Sequence, residues 1–155
     1  MTSAGTSDAH TVFRDAQPSD LAGVIRLYRQ LHPEDDPVVD ASDAAVFSQI
    51  ADAPGLRLLV LVRDGAVVAT TYLNVIPNLT RSASPYAVIE NVVVDEPLRR
   101  TGLGKRIMAA TLQAAWEAGC YKAMLMTGSR NPATHGFYEV CGFSADAKTA
   151  YVARP

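Results

Sequence analysis

The feature that most constrains this chain is an apolar run that leads into a basic, glycine-containing turn and then into an amphipathic segment. Residues 86–94 read YAVIENVVV, and their β-branched side chains predict a strand too apolar for an exposed sheet edge. From Leu103 to Trp116 the apolar residues recur at helical spacing, and Gly119 is typical of a helix end. A buried strand followed by such a helix requires a sheet that is covered by helices.

Composition limits the rest of the chain to one ordinary core. The 155 residues are 48% hydrophobic, so we expect a single domain over residues 11–155 after a small, polar, disordered tail at residues 1–10. The net charge of −2 gives no global attraction to nucleic acid or membrane, and no stretch is long and apolar enough to span a bilayer. Two cysteines, Cys120 and Cys141, and the absence of a secretion signal indicate a reduced, cytoplasmic location.

The hydrophobic periods predict an alternation of short strands and helices. Asp64-Gly65 between two apolar runs indicates a tight hairpin, because both residues tolerate positive φ. Trp116 and Met126 follow core periodicity. The predicted elements are strand 11–14, helix 21–31, a helix ending at residue 50, strand 56–62, strand 67–69, strand 86–94, helix 103–116, strand 121–126, helix 131–140 and a last strand or hairpin over residues 143–152.

The turn between the apolar strand and the long helix has the properties of an anion site. Glycines at 102 and 104 expose consecutive backbone N–H groups, and a helix start adds partial positive charge, so a phosphate is expected to bind there. Arg99, Arg100 and Lys105 add full positive charges. The alternative is a plain strand-to-helix turn with solvated basic residues. The phosphate-loop and dinucleotide glycine patterns both fit poorly.

Two segments together resemble the GNAT superfamily of N-acetyltransferases. R-x-x-G-x-G over residues 99–104, after V-V-V-D, is similar to motif A of that family. N-P-A-T-H-G-F-Y over residues 131–138, followed by Gly142 and Phe143, is similar to motif B. The resemblance implies an α+β fold with a mixed central sheet of about six to seven strands flanked by about four helices. It also implies acetyl-CoA as co-substrate and no metal.

The resemblance assigns the cofactor contacts to two stretches of backbone and one side chain. The amides of motif A hold the CoA pyrophosphate, and the backbone of the preceding strand pairs with the pantetheine arm. Asn131 hydrogen-bonds that arm in many members, although a helix N-cap is an equally physical role. The residues implied in cofactor binding are Val92, Val93, Val94, Arg99, Arg100, Thr101, Gly102, Leu103, Gly104, Lys105, Asn131 and Tyr138.

Acetyl transfer by direct attack of an amine on a thioester needs a base for the amine and an acid for the leaving thiolate. Tyr138 matches the motif B tyrosine that acts as general acid in the family, and its structural alternative is an aromatic that packs a helix on the sheet. Glu90 is a carboxylate in an apolar strand, where a charge is costly without a role or a partner. We expect Val88, Glu90 and Val92 to share one face, with Glu90 as general base or substrate ligand. The alternatives are a structural carboxylate paired with a nearby cation or with backbone, and deprotonation through water.

The acceptor is less constrained than the donor. The motif segments look most like the glucosamine-6-phosphate N-acetyltransferase branch, but Asn91 and Met126 stand where that branch has acidic residues. A small-molecule amine is preferred over a protein lysine, because no further module is present to recruit a protein. Alternatives are a protein or peptide amine acetyltransferase and a non-catalytic acetyl-CoA sensor or interaction domain. Many family members dimerise, so a homodimer is a further expectation.

The acid assignment predicts a specific kinetic change. Tyr138→Phe should lower turnover with little change in acetyl-CoA affinity, because the hydroxyl acts only on the leaving thiolate. General acid–base groups typically contribute about 10²–10⁴-fold to a rate. Steady-state kinetics and calorimetric titration with acetyl-CoA measure the two effects separately. An equal loss of binding would contradict the general-acid role.

Overall fold

The computed structural model describes residues 10–155, so all but the last residue of the predicted N-terminal tail lies outside it. Five strands and five helices follow one another with two 3₁₀ turns, Pro18–Asp20 and Glu96–Leu98. The strands are β1 (Thr11–Asp15), β2 (Leu56–Arg63), β3 (Ala66–Ile76), β4 (Tyr86–Val94) and β5 (Ala123–Met124). The helices are α1 (Leu21–Tyr28), α2 (Ala41–Asp52), α3 (Thr80–Ala83), α4 (Leu103–Glu117) and α5 (Pro132–Val140).

The sheet has the strand order β1-β2-β3-β4-β5. The first four strands are antiparallel neighbours, and β5 runs parallel to β4. The hairpin between β2 and β3 turns at Asp64 and Gly65, whose φ angles of 50° and 82° give the predicted tight turn. The predicted α+β class and the interior position of β4 are both confirmed.

Helices cover both faces of the sheet. On one face, Val24 and Leu27 of α1 and Phe47 of α2 pack on Leu58 and Val60 of the sheet. On the other face, α4 buries its apolar stripe against the sheet, and Phe137 and Tyr138 of α5 pack beside it. This stripe confirms the helix that was predicted from the period of residues 103–116.

Strand β4 carries a bulge in its second half. Thr70 lies opposite Val93 and Tyr72 lies opposite Glu90, so two residues of β4 face one residue of β3. Asn91 adopts the left-handed conformation, with φ of 51°. The extra residue reverses the alternation, and Val92 packs with the α4-side cluster that also contains Ile89. Glu90 and Val92 therefore do not share a face as predicted.

The sheet has fewer strands than the six to seven expected. The last predicted strand, residues 143–152, pairs with no other strand among the described residues. Predicted strand 121–126 keeps only the two residues of β5 in its ladder with β4. The backbone N–H and C=O groups of a strand need hydrogen-bond partners on a neighbouring strand. Strand β5 has such a neighbour only in β4. Both losses fall at this one edge of the sheet.

Two residues predicted in the core lie at the same edge. The side chains of Trp116 and Met126 are 45% and 56% exposed. The fifth helix, α3, was not predicted, and it is a single turn in which Arg81 and Ser82 have left-handed φ angles. Within the described residues, no helix has the length and apolar character required to cross a membrane.

Candidate functional site

The site begins where β4 and β5 separate. The parallel ladder joins Ala87 to Ala123 and Val88 to Met124, and it continues no further. On its other edge β4 remains paired with β3 as far as Val94. The β5-facing edge of residues 90–94 therefore has no strand neighbour among residues 10–155. An extended ligand with amide groups can pair with such an edge as an added strand would.

The turn after β4 presents its backbone in a conformation suited to an anion. Arg100 and Gly102 have φ angles of 63° and 89°, and Gly102 is the N-cap of the 15-residue helix α4. The first amides of a helix have no intrahelical acceptor, so they remain available to a ligand. A Cβ on Gly102 would meet no neighbour within 4 Å, so this glycine is needed for its conformation. The turn therefore has free amides in a conformation that can accept an anionic group.

The side chains of this turn divide into those that face solvent and those that face the protein. Leu103 is only 3% exposed and packs in the core, so only its backbone can contact a cofactor. Arg99 turns back onto the protein, where its Nε donates to the Val94 carbonyl at 3.1 Å. The exposed residues Arg100 and Lys105 are the ones left to supply charge to an anion.

Gly104 has a packing role that was not predicted from the sequence, in addition to its predicted backbone contact with the cofactor. A Cβ built on it would lie 2.9 Å from Cε2 of Phe137 and 3.5 Å from Cγ2 of Val94. The missing side chain therefore lets α5 pack against the start of α4. This contact joins α5, the helix that carries Tyr138, to the turn at residues 99–105.

Tyr138 lies in an aromatic cluster beside the separated strands. Its ring centroid is 5.2 Å from that of Phe137 and 6.1 Å from that of Phe143. Burial raises the pKa of the Tyr138 phenol above its usual value, with a further contribution from nearby Cys141. The phenol therefore stays protonated at neutral pH, as a proton donor must be. The observed packing of Tyr138 is compatible with the proton-donor role predicted from the sequence.

Glu90 is half-buried in β4 and lies opposite Tyr72 of β3. No ion pair between described residues includes the Glu90 carboxylate. The structural alternative, a carboxylate held by a neighbouring cation, is therefore not what the structure shows. An ionisable group without such a partner is available for a ligand.

Asn131 is the N-cap of α5, and its Oδ1 accepts a hydrogen bond from the Ala133 amide at 3.0 Å. The capping role is thus present, and the side-chain amide is the part left for a ligand. In the same helix, His135 is half-buried, and its Nε2 lies 2.8 Å from the Ser129 carbonyl oxygen.

Sequence reasoning missed the pair that supports the bulge. The Tyr28 hydroxyl hydrogen-bonds Asn91 and Thr70, and burial raises its pKa to about 12. The available signal was Asn91, because asparagine adopts left-handed φ angles more readily than other non-glycine residues.

No group of three or more His, Cys, Asp or Glu side chains within residues 10–155 is arranged to hold a metal ion. The chemistry on offer consists of backbone amides, one protonated phenol and one unpaired carboxylate. That set suits acyl transfer, where a thioester carbonyl is oriented and protons are moved.

Comparisons with known proteins show which family and which solved structures this chain is similar to. The model of the Acetyltransferase (GNAT) family matches residues 18–143. Glucosamine 6-phosphate N-acetyltransferase 1 of Oryza sativa subsp. japonica is 31% identical over 90% of this chain and 84% of its own length. The type 1 aminoglycoside N(6')-acetyltransferase of Stenotrophomonas maltophilia is 25% identical over 92% of each chain. A solved structure from Agrobacterium tumefaciens str. C58 superposes with a TM-score of 0.88 at 43% identity, covering 93% of this chain and 99% of that one.

The contact between Gly104 and Phe137 predicts the effect of one added methyl group. Gly104→Ala should displace the Phe137 ring and with it Tyr138, lowering turnover and destabilising the fold by about 1–3 kcal/mol, as overpacking typically does. Kinetics and thermal unfolding measure the two effects. Gly136→Ala is the matched control, because a Cβ there meets nothing within 4 Å. Wild-type behaviour of Gly104→Ala would contradict the proposed contact.

Proposed function

We propose that this chain, which belongs to the Acetyltransferase (GNAT) family, transfers an acetyl group to the primary amine of a small molecule by direct attack on the thioester. Membership of the family makes the chain an N-acetyltransferase with acetyl-CoA as its donor. The observation that carries the proposal is the open edge of β4, which leads directly into the turn at residues 99–105.

Backbone groups are the main contacts proposed for the donor. The amides from Arg100 to Lys105 would hold the pyrophosphate, aided by the positive end of α4. The open edge of residues 92–94 would pair with the pantetheine arm, and the Asn131 amide would add a side-chain contact. These groups fix the position of the thioester carbonyl relative to β4.

Tyr138 is proposed as the general acid. When the amine attacks the carbonyl carbon and the carbon–sulfur bond breaks, the departing thiolate needs a proton. The raised pKa of the buried phenol keeps that proton in place until the thiolate forms, and the aromatic packing of Tyr138 fixes its position.

Glu90 is proposed as the group that receives the amine, either as general base or through an intervening water. Its carboxylate is the charged side chain within β4, and the alternation of the strand before the bulge directs it away from the cluster of Ile89. An amine that arrives protonated must lose a proton before it can attack, and a carboxylate attracts that cation and accepts the proton.

A small, cationic acceptor is supported by the acidic loop that follows α1. The exposed acidic residues Glu34, Asp35 and Asp36 follow α1, and Arg29 holds their loop by donating to the Pro33 and Asp35 carbonyls. The two enzymes named above act on an amino sugar phosphate and on aminoglycosides, which are small molecules with primary amines. A protein amine remains the second candidate acceptor.

The first experiment is calorimetric titration of the chain with acetyl-CoA, followed by release of free thiol in the presence of amines. The panel includes glucosamine 6-phosphate, an aminoglycoside and a lysine-containing peptide. We expect binding and thiol release that depends on a small amine. Binding without release would favour a sensor, release with the peptide alone would favour a protein acetyltransferase, and no binding would refute the proposal.

The proposal extends to a homodimer. An apolar groove of about 640 Å³ lies between the outer side of β5 and the C-terminal segment, and Trp116, Met126 and Tyr138 line it. The segment itself leaves Tyr151 and Val152 at 92% and 69% exposure. The outer edge of β5 has no strand partner among the described residues, and neither does the C-terminal segment. If two copies exchange their C-terminal segments, each segment can pair with the β5 edge of the other copy.

The expected consequence is a change of mass on disrupting the segment. By light scattering, the wild-type chain should be a dimer and the double variant Tyr151→Asp/Val152→Asp should be a monomer. The reason is that two carboxylates on the segment would be costly to bury in the apolar groove of the other copy. Leu79→Asp is the control, since Leu79 is 96% exposed in the loop between β3 and β4. A monomeric wild-type chain would contradict the homodimer.

A further inference from the structure

Gln30 joins the turn after α1 to the segment that leads into the cofactor turn. Its side-chain nitrogen donates to Oδ1 of Asp95 at 2.8 Å. Its side-chain oxygen accepts from the Glu96 amide at 3.0 Å and from Nη2 of Arg99 at 3.3 Å. One neutral side chain thus holds three groups of residues 95–99, over 60 positions away in sequence.

A second side chain from α1 strengthens the same attachment. Nη1 of Arg26 donates to Oδ2 of Asp95 at 2.9 Å, and its Nη2 donates to the Val67 carbonyl at 2.9 Å. Burial alone would raise the Asp95 pKa, but the hydrogen bonds from Gln30 and Arg26 outweigh it and hold that pKa below its usual value. Asp95, the residue that follows β4, is therefore ionised and held in place by α1 and the turn after it.

The held segment lies between the two proposed cofactor-binding stretches. Val94 ends the open edge of β4, and Arg99 begins the turn that exposes the amides. Arg99 also closes the segment on itself, because its Nε donates to the Val94 carbonyl. The direction of the amides after residue 99 is consequently set by groups that Gln30 contacts.

We propose that Gln30 is a positioning residue for acetyl-CoA, which fixes the pyrophosphate-binding turn from the opposite side of the sheet without touching the cofactor. This inference rests on the proposed placement of the pyrophosphate at residues 100–105. Hydrogen bonds to charged or backbone partners contribute measurably only when their geometry is kept, so a shorter or absent side chain at position 30 leaves the turn less ordered. The cost falls on cofactor affinity and not on the chemical step.

The test is Gln30→Ala in the full chain, with Gln113→Ala as the matched control. Gln113 is exposed on α4, where its Nε2 donates to Oε1 of Glu117 at 3.1 Å, so its loss also removes one glutamine hydrogen bond. We expect Gln30→Ala to weaken acetyl-CoA binding and raise its KM about tenfold, the loss of roughly one such hydrogen bond, with kcat within about twofold. Gln113→Ala should bind as the wild-type chain does.

A rescue separates positioning from a general loss of stability. Gln30→Glu alone places two carboxylates together at Asp95 and should weaken binding. The double variant Gln30→Glu/Asp95→Asn exchanges donor and acceptor across the same contact, and it keeps an acceptor for the Glu96 amide and for Arg26. We expect it to recover most of the acetyl-CoA affinity.

The outcomes distinguish this inference from the proposed function. If Gln30→Ala binds acetyl-CoA normally while Gly102→Val does not, Gln30 has no positioning role and the cofactor turn stands. If both variants bind normally, the cofactor is not held at this turn and both proposals fail. A third outcome is that Gln30→Ala lowers kcat, raises KM and lowers the unfolding temperature together. If the double variant then restores none of these quantities, Gln30 only stabilises the fold and has no positioning role.

Discussion

The structure depends on one requirement, that β4 keeps its neighbour on one edge and loses it on the other. Pairing with β3 continues to Val94, whereas pairing with β5 stops at Val88. A backbone that leaves its hydrogen bonds open in this way is costly unless a ligand or water completes them. The bulge at Asn91, and the hydrogen bond between Asn91 and Tyr28, lie at the place where this change occurs.

The helices around this edge form a connected support. Helix α1 contacts the end of β4 through Gln30 and Arg26, and α5 contacts the start of α4 through Phe137 and Gly104. The proposed acid is thus carried by a helix that is packed against the proposed cofactor turn. The distance between the proposed cofactor turn and Tyr138 is therefore set by packed side chains, and packed protein interiors have low compressibility.

Local sequence patterns predicted the parts of the fold that are determined locally. The period of α4, the hairpin at Asp64-Gly65 and the apolar run of β4 each appear where they were expected. The bulge was not predicted, because a single asparagine among valines changes the alternation without changing the composition. The last predicted strand did not form, because a strand needs a neighbouring strand to pair with. Residues 143–152 have no such neighbour among the described residues. The hydrogen bond between Arg99 and Gln30 was not predicted, because no local pattern connects residues that are 69 positions apart.

The proposed recognition of the donor by backbone groups has an evolutionary consequence. Amides and carbonyls are the same for every residue, so most side chains between residues 92 and 101 are free to change without loss of the donor site, provided that positive φ angles are kept where they occur. The proposed acceptor contact, in contrast, is a side chain, the Glu90 carboxylate of β4. A lineage of such chains can therefore acquire new amines by ordinary point mutation while its donor chemistry is inherited unchanged.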